Sequence, residues 1–271
     1  MKFSWAGLIL AVLLVWPACG FGQWETLEEG LEVARFDSGL RNTNPNGDLV
    51  VLRLDMEKWG LRAFIPEESD GYKGRSAKRW CELGNLTAAI NAGMYQADKV
   101  THVGYMKIDG KVINSFNNDY LSAMAFGPID PAEPNFRIFD LDEITLGEIS
   151  ARYRTVIQNL RLIKRAGENR WQPASDHWQE AALAEDYNGR ALLIYCDRRW
   201  SMHDFNEIIL ALPLGVVAAQ HLEGRMQASL WIRHPDMDAS ELPGSKARPT
   251  LPNILGVTKR HPQTPDISDS E

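Results

Sequence analysis

Cysteine is scarce, with three in 271 residues, and no Cys/His spacing in the chain matches a zinc site. Neither a metal nor an organic cofactor is therefore expected. Clustered cations are also missing. The formal charge is −7 and no Lys/Arg run offsets it, so nucleic acid, which binds through clustered cations, is not an expected partner. No apolar run is long enough to span a bilayer comfortably. The run Ala6–Trp16 instead has signal-peptide length, with Lys2 before it, Pro17 ending it, and small residues at Gly20 and Gly22 for cleavage after Gly22. Cys19 offers a second outcome, a lipid-anchored cysteine, although Trp16-Pro17-Ala18 matches the usual Leu-small-small pattern poorly. Either way the expectation is export, to the periplasm or the medium, as a free protein or a lipoprotein. An exported chain permits a Cys81–Cys196 disulfide. Nothing in the sequence brings those two together, so separate buried thiols are the favoured reading.

What remains is ordinary in bulk: 44% apolar and 24% charged residues, as in one large globular domain. The expected division is a signal peptide over 1–22, a domain over 23–234 and a tail over 235–271. The tail holds six prolines and no hydrophobic period, which reads as extended or disordered. Within the domain, short β-type runs dominate. Leu49–Leu54 and Leu61–Ile65, separated by Trp59-Gly60, read as two paired strands. Asp109-Gly110 supplies the positive φ angles of a tight type I′ turn, and Asn188-Gly189 marks a second hairpin. Ser76, Thr145 with Glu148, and Ser201 are helix starts. The expected fold class is α+β: a mainly antiparallel mixed sheet core with flanking helices.

The stretch Val216–Ile232 carries the clearest chemical signal. An apolar run, Val216–Ala219, passes into His221, Glu223, Gly224 and Arg225, read as a polar loop, before a second β-type run, Ala228–Ile232. A carboxylate and a glycine at a sheet edge can hold a reactive group close to a ligand. An ordinary hairpin with a polar turn is the competing reading. Leu86–Ile90 likewise empties into Asn91-Ala92-Gly93. In Thr155–Arg170, polar Gln158, Asn159 and Arg161 alternate with apolar residues. They fit either a half-buried strand or the lining of a polar pocket. Trp171, Trp178 and Trp200 lie near, and aromatic faces stack on sugar rings as readily as they pack a core.

These segments, in this order, resemble the phosphodiester glycosidase family. Ile90-Asn91-Ala92-Gly93-Met94-Tyr95 is similar to the family's Ile-Asn-Gly-Gly-Phe-Phe, and His221-Leu222-Glu223-Gly224 through Ser229 to its Leu-Asp-Gly-Gly-Gly-Ser. Gln158–Leu162, Asn169-Arg170-Trp171 and Ser201–Phe205 resemble an exported bacterial branch, and the likeness runs from about Leu49 to Ile232. Three departures stand out. Glu223 replaces Asp, Arg225 and Met226 follow Gly224 where small residues are expected, and Gln179-Glu180 lie where an arginine is expected.

The resemblance implies an exported hydrolase that cleaves a sugar-1-phosphodiester at the anomeric carbon, in a glycosyl phosphodiester or cell-envelope glycan. Glu223, Asn91 and His203 are the implied catalytic residues. Glu223 would stabilise an oxocarbenium-like transition state or activate water. Gly93, Gln158, Asn159, Arg161, His221, Gly224 and Ser229 would bind substrate, with Arg161 and the helix start at His203 holding phosphate. Asp186 is either a second carboxylate or a turn acid. The alternative is a non-catalytic envelope protein of the same fold that binds glycan or phosphate. A metal-dependent phosphodiesterase is a third idea that no His/Asp spacing supports.

Overall fold

The computed structural model describes residues 24–38, 48–67, 74–235 and 250–260. The signal segment, Cys19 and both ends of the tail lie outside these. Three sheets surround one core, and every described strand pair is antiparallel.

The largest sheet has eight strands. They are β1 (Glu25–Glu28), β2 (Leu31–Phe36), β3 (Leu49–Leu54), β11 (Arg161–Lys164), β12 (Glu168–Asn169), β13 (Trp178–Asp186), β14 (Ala191–Trp200) and β15 (Val216–Gly224), in the order β1-β2-β3-β14-β13-β15-β11-β12. A five-stranded sheet holds β6 (Met106–Ile108), β7 (Lys111–Asn114), β8 (Ser122–Pro128), β9 (Phe136–Asp140) and β10 (Tyr153–Asn159), in the order β7-β6-β10-β8-β9. A four-stranded sheet holds β4 (Trp59–Phe64), β5 (Ala88–Asn91), β16 (Leu230–Ile232) and β17 (Ile254–Lys259), in the order β16-β5-β17-β4.

Side-chain alternation explains this layering. On β13, Ala181 and Leu183 join the shared core, while Ala182 and Ala184 join the cluster under a helix on the other face. All three sheets send apolar residues into the shared core, among them Leu52, Ile90, Ile157, Leu193, Leu222 and Leu255. Each outer face carries one helix: α1 (Ala77–Gly84) on the four-stranded sheet, α2 (Leu146–Arg152) on the five-stranded one, and α3 (Met202–Ala211) on the largest. The helices start where the sequence places them. Ser76 accepts from Arg79 N, Thr145 and Glu148 form a reciprocal capping box, and Ser201 accepts from Asp204 N. Strand nevertheless far outweighs helix, so the fold is best described as three antiparallel sheets with three short helices.

Both hairpins form where expected, but at the second only Gly189 has a positive φ, 75°, and Asn188 does not. Asp109 and Gly110 have φ 48° and 86°, as a type I′ turn requires. Asp186 caps the other turn, accepting from Asn188 N and Arg190 N at 2.9 Å each, so it serves there as the turn acid. Cys81 and Cys196 are separate, buried thiols. Burial pushes both up to about 12.

Three segments differ from expectation. β3 and β4 are not paired with each other: β3 lies between β2 and β14, and β4 pairs with β17. The turn at Asp55–Lys58 carries the chain from one sheet to another, and the Trp59 indole donates to Glu29 O at 3.0 Å to hold that crossing. β15 runs unbroken through His221 and Glu223, which are strand residues rather than a loop. β13 pairs with it through to Gly224 and β11 flanks it at Ala219 and Gln220, and this backbone pairing overrides side-chain polarity. Finally, Ile254–Lys259 of the supposed tail forms β17, a central strand between β5 and β4. Proline content hid the apolar start of this strand, Ile254-Leu255-Gly256-Val257. Leu255 is fully buried in the shared core, so Leu255→Ala should cost about 3 kcal/mol in urea unfolding, a loss that a loose tail would not show.

Candidate active site

The site is built where β15 ends. Ala181 pairs with Glu223 while its neighbour Ala182 pairs with His221, so Leu222 is an extra residue in β15. Such a bulge re-aims the side chains beyond it. His221, before the bulge, reaches the buried Glu180, whose carboxylate accepts from Nδ1 in a short contact. The Trp178 indole donates to the other Glu180 oxygen at 3.0 Å. Glu223, after the bulge, pairs with a residue of the shared core and has a different set of neighbours. Tyr95 and Tyr120 lie within its field, and its Oε1 accepts from Gly224 N at 2.9 Å.

The electrostatics follow from burial. Burial raises Glu223 above the usual carboxylate range, against the Gly224 N–H and His221, which lower it. Burial alone would lower His221, but the carboxylates of Glu180 and Glu223 outweigh it and hold the imidazole above its ordinary value. Burial also raises both tyrosines, with Glu223 adding to each and Asp119 adding to Tyr120. Both phenols thus stay neutral within the field of the carboxylate.

Asn91 fixes the segment after β15. Its Oδ1 accepts from Ser229 N at 2.9 Å and its Nδ2 donates to Gln227 O at 3.1 Å. Gly93 packs where no side chain fits: a Cβ there would lie 2.3 Å from Asn159 Oδ1 and 2.5 Å from His102 Cε1. Asn159 Nδ2 donates to Ala92 O at 2.9 Å. Gln158 holds the loop before β8, donating to Asn118 O and Tyr120 O at 3.0 and 2.8 Å and accepting from Asn118 N at 3.3 Å. It thereby positions Tyr120. Gly224 lets the Trp178 ring approach, since a Cβ would lie 2.9 Å from its Cδ1.

Asn91, Gly93, Gln158, Asn159, His221, Glu223, Gly224 and Ser229 therefore form one connected neighbourhood. Arg161 and His203 have other partners. The Arg161 guanidinium bonds Asp140 and Asp142 at 3.2 and 3.0 Å. His203 bonds Asp204 at 3.0 Å through Nδ1, and its carbonyl accepts from Asn169. Arg161 does line a groove of about 310 Å³ with Asp119, Leu121, Leu160, Trp171 and Arg170.

Sequence reading missed Glu180 as a partner of His221, along with Tyr95, Tyr120 and His102. Only the register of β13 against β15 brings Glu180 to His221. His102 is buried and neutral, lowered to about 4 by burial, with Nε2 donating to Gln158 O at 2.8 Å. No group of three or more His, Cys, Asp or Glu suited to a metal ion occurs among the described residues.

Comparison with known proteins bears on this geometry. Residues 84–258, more than half of the chain, match the sequence model of a family described as phosphodiester glycosidase. No curated protein matches the chain. Among solved structures, it is similar to the catalytic domain of zebrafish N-acetylglucosamine-1-phosphodiester alpha-N-acetylglucosaminidase, auto-inhibited by its pro-peptide. That match has a TM-score of 0.61 and 13% identity over 89% of this chain and 87% of that one. A hypothetical protein from Synechocystis matches with a TM-score of 0.58 and 13% identity, over 88% of this chain and 64% of that one. At such identities the structures share the fold.

Two stability outcomes follow. Asn91→Ala removes two part-buried hydrogen bonds that fix the link from β15 to β16, so it should cost roughly 2 kcal/mol in chemical denaturation. Glu223→Gln should go the other way. A carboxylate raised in the folded state contributes stability below its unfolded pKa and loses it as pH rises through the folded value. At neutral pH the Gln variant should therefore melt no lower than wild type, which a thermal scan checks.

Proposed function

This chain belongs to the phosphodiester glycosidase family, and on that premise we propose that it hydrolyses a glycosyl phosphodiester at the anomeric carbon, with Glu223 as the essential carboxylate. The observation that carries the reading is the state of Glu223. It is partly exposed, it accepts among the described residues only from its own neighbour's amide, and two neutral phenols share its field. A purely structural carboxylate in such surroundings would have several donors. This one is left available.

The chemistry needs few parts. As the bond from the anomeric carbon to the phosphate oxygen lengthens, positive charge grows on the sugar ring, and Glu223 stabilises it or removes a proton from the attacking water. The phosphate departs with the bonding electrons and needs no strong general acid. Tyr95 and Tyr120 donate to substrate oxygens. The Glu180–His221 pair behind Glu223 is closed off by Trp178 and acts on substrate only through Glu223, by placing positive charge near it.

The groove beside β11 fits the sugar portion better than the phosphate. Its arginines are already matched, Arg161 by Asp140 and Asp142 and Arg170 by Glu168. The Trp171 indole is held flat by donation to Arg161 O at 2.9 Å, beside exposed Leu121. A fixed aromatic face with leucines around it favours a sugar ring. A polymer of the cell envelope, met after export, is the substrate class that joins such a ring to a phosphodiester.

A binding-only protein of this fold is the second reading, favoured by the bulky Arg225 and Met226 at the site. Steady-state assays on a glycosyl phosphodiester separate the two. Glu223→Gln should lose at least about a thousandfold in kcat while still binding substrate. Wild type that binds glycan but turns over no member of a phosphodiester panel would establish the second reading. Because Glu223 must be ionised and burial raises it, the acid limb of kcat against pH should fall above the ordinary glutamate range, rising with pH through that point.

A further inference from the structure

We infer that the groove at Trp171 is a separate subsite for a second, uncharged sugar ring of the substrate chain, and that Asn169 positions Trp171 to form it. The inference rests on the hydrolase reading of Glu223 given above and concerns what the substrate must carry beyond the attacked bond.

The groove is not where the bond breaks. Its lining includes Asp119, Leu121, Leu160 and Trp171 but neither Glu223 nor Gly224. A reacting carbon must come within about 3 Å of its carboxylate, so a ring seated in the groove is not the one attacked. The two places nevertheless share a wall. Asp119 and Leu121 line the groove, and Tyr120 between them lies in the field of Glu223. Gln158 holds this loop through its bonds to Asn118 and Tyr120. A short chain of sugars crossing the loop reaches both. At about 310 Å³ the groove lies at the small end of ligand sites.

Trp171 is fixed twice over. It packs half-buried on the apolar cluster under α3. Its indole donates to Arg161 O at 2.9 Å, and its amide donates to Asn169 Oδ1 at 3.2 Å. Asn169 is held in turn: its Nδ2 donates to His203 O at 3.1 Å and Glu207 Oε1 at 2.7 Å, and its Oδ1 accepts from Asn206 at 3.0 Å. Asn206 is fully buried in α3 and also donates to Leu162 O at 2.8 Å. Burying an amide under a helix is costly, and here it serves to lock a partly exposed aromatic ring. A ring immobilised in advance gives up little freedom when a ligand stacks on it.

The charge of the groove selects the occupant. Arg161 is matched by Asp140 and Asp142, and Arg170 by Glu168. Asp119 is exposed and has no cation partner among the described residues. The surplus is therefore negative. It repels a phosphate and accepts from sugar hydroxyls, while the indole face takes the apolar side of the ring.

The test uses the full chain, Trp171→Ala, Trp171→Phe and Asn169→Ala. Two substrate sets are compared at steady state. One is the anomeric methyl phosphodiesters of glucose, galactose and mannose. The other is the same diesters lengthened by one hexose, either on the sugar or in place of the methyl group. Wild type should show its highest kcat/KM on a lengthened diester. Trp171→Ala should lower that value by roughly five- to tenfold, through KM, and leave the short diesters unchanged, and Trp171→Phe should recover part of the loss. Asn169→Ala should raise KM on the lengthened diester alone, whereas a merely structural asparagine would depress both sets alike. Calorimetric titration with neutral hexose disaccharides gives a reading independent of turnover: wild type should bind one of them, and Trp171→Ala should weaken it by a similar factor. Equal losses on short and lengthened diesters, no preference for length, or disaccharide binding that is absent or indifferent to Trp171 would overturn the inference even with Glu223 confirmed as essential. Conversely, disaccharide binding that depends on Trp171 in a protein that hydrolyses no diester would support the subsite and defeat the hydrolase reading instead.

Discussion

Asn91 is the joint on which the site depends. It ends β5 in the smallest sheet, and its amide holds both Gln227 O and Ser229 N in the link from β15 to β16. β15 belongs to the largest sheet and β16 to the smallest, so one buried side chain fixes how the two meet. Glu223 and Arg225 lie just before that joint. Their placement is a consequence of sheet-to-sheet geometry, set by two hydrogen bonds to backbone that no apolar residue could replace.

A second constraint is the division of labour across β15. The bulge at Leu222 gives His221 and Glu223 different surroundings. His221 is enclosed with Glu180, where a buried pair is costly unless fully bonded. Glu223 meets solvent on one side and is raised by burial on the other. The same strand therefore supplies a fixed, enclosed pair and, two residues later, a half-buried carboxylate that accepts from its neighbour's amide. Gln158 and Asn159 support this from β10. Gln158 holds the Tyr120 loop, and Asn159 grips the backbone beside Gly93. Their side chains are used to position other groups.

Much of this was legible from residues alone. Helix starts at Ser76, Thr145 and Ser201, and turns at Asp109-Gly110 and Asn188-Gly189, follow from local backbone chemistry that the chain spells out in a few residues. The neighbourhood of Asn91, Gly93, Glu223 and Gly224 was legible as motifs. Partners that depend on register were not. Glu180 meets His221 through strand pairing across 41 positions, and no local pattern announces it. Arg161 reads as a free cation until β9 brings Asp140 to it. β17 was hidden because proline-rich flanks dominate the composition of a tail whose short run Ile254–Val257 is apolar and buried enough to be central. β3 and β4 read as partners because short separation favours a hairpin, whereas the core required them in different sheets.

The position of β17 also bears on how the molecule is made. Its residue Ile254 pairs with Asn91 itself, so the strand that flanks the joint comes from the far end of the chain. During synthesis, β4 and β5 wait unpaired for more than a hundred residues, and such long-range closure is slow. The grip of Asn91 on the link from β15 to β16 is therefore set late, once the last strand has docked beside it.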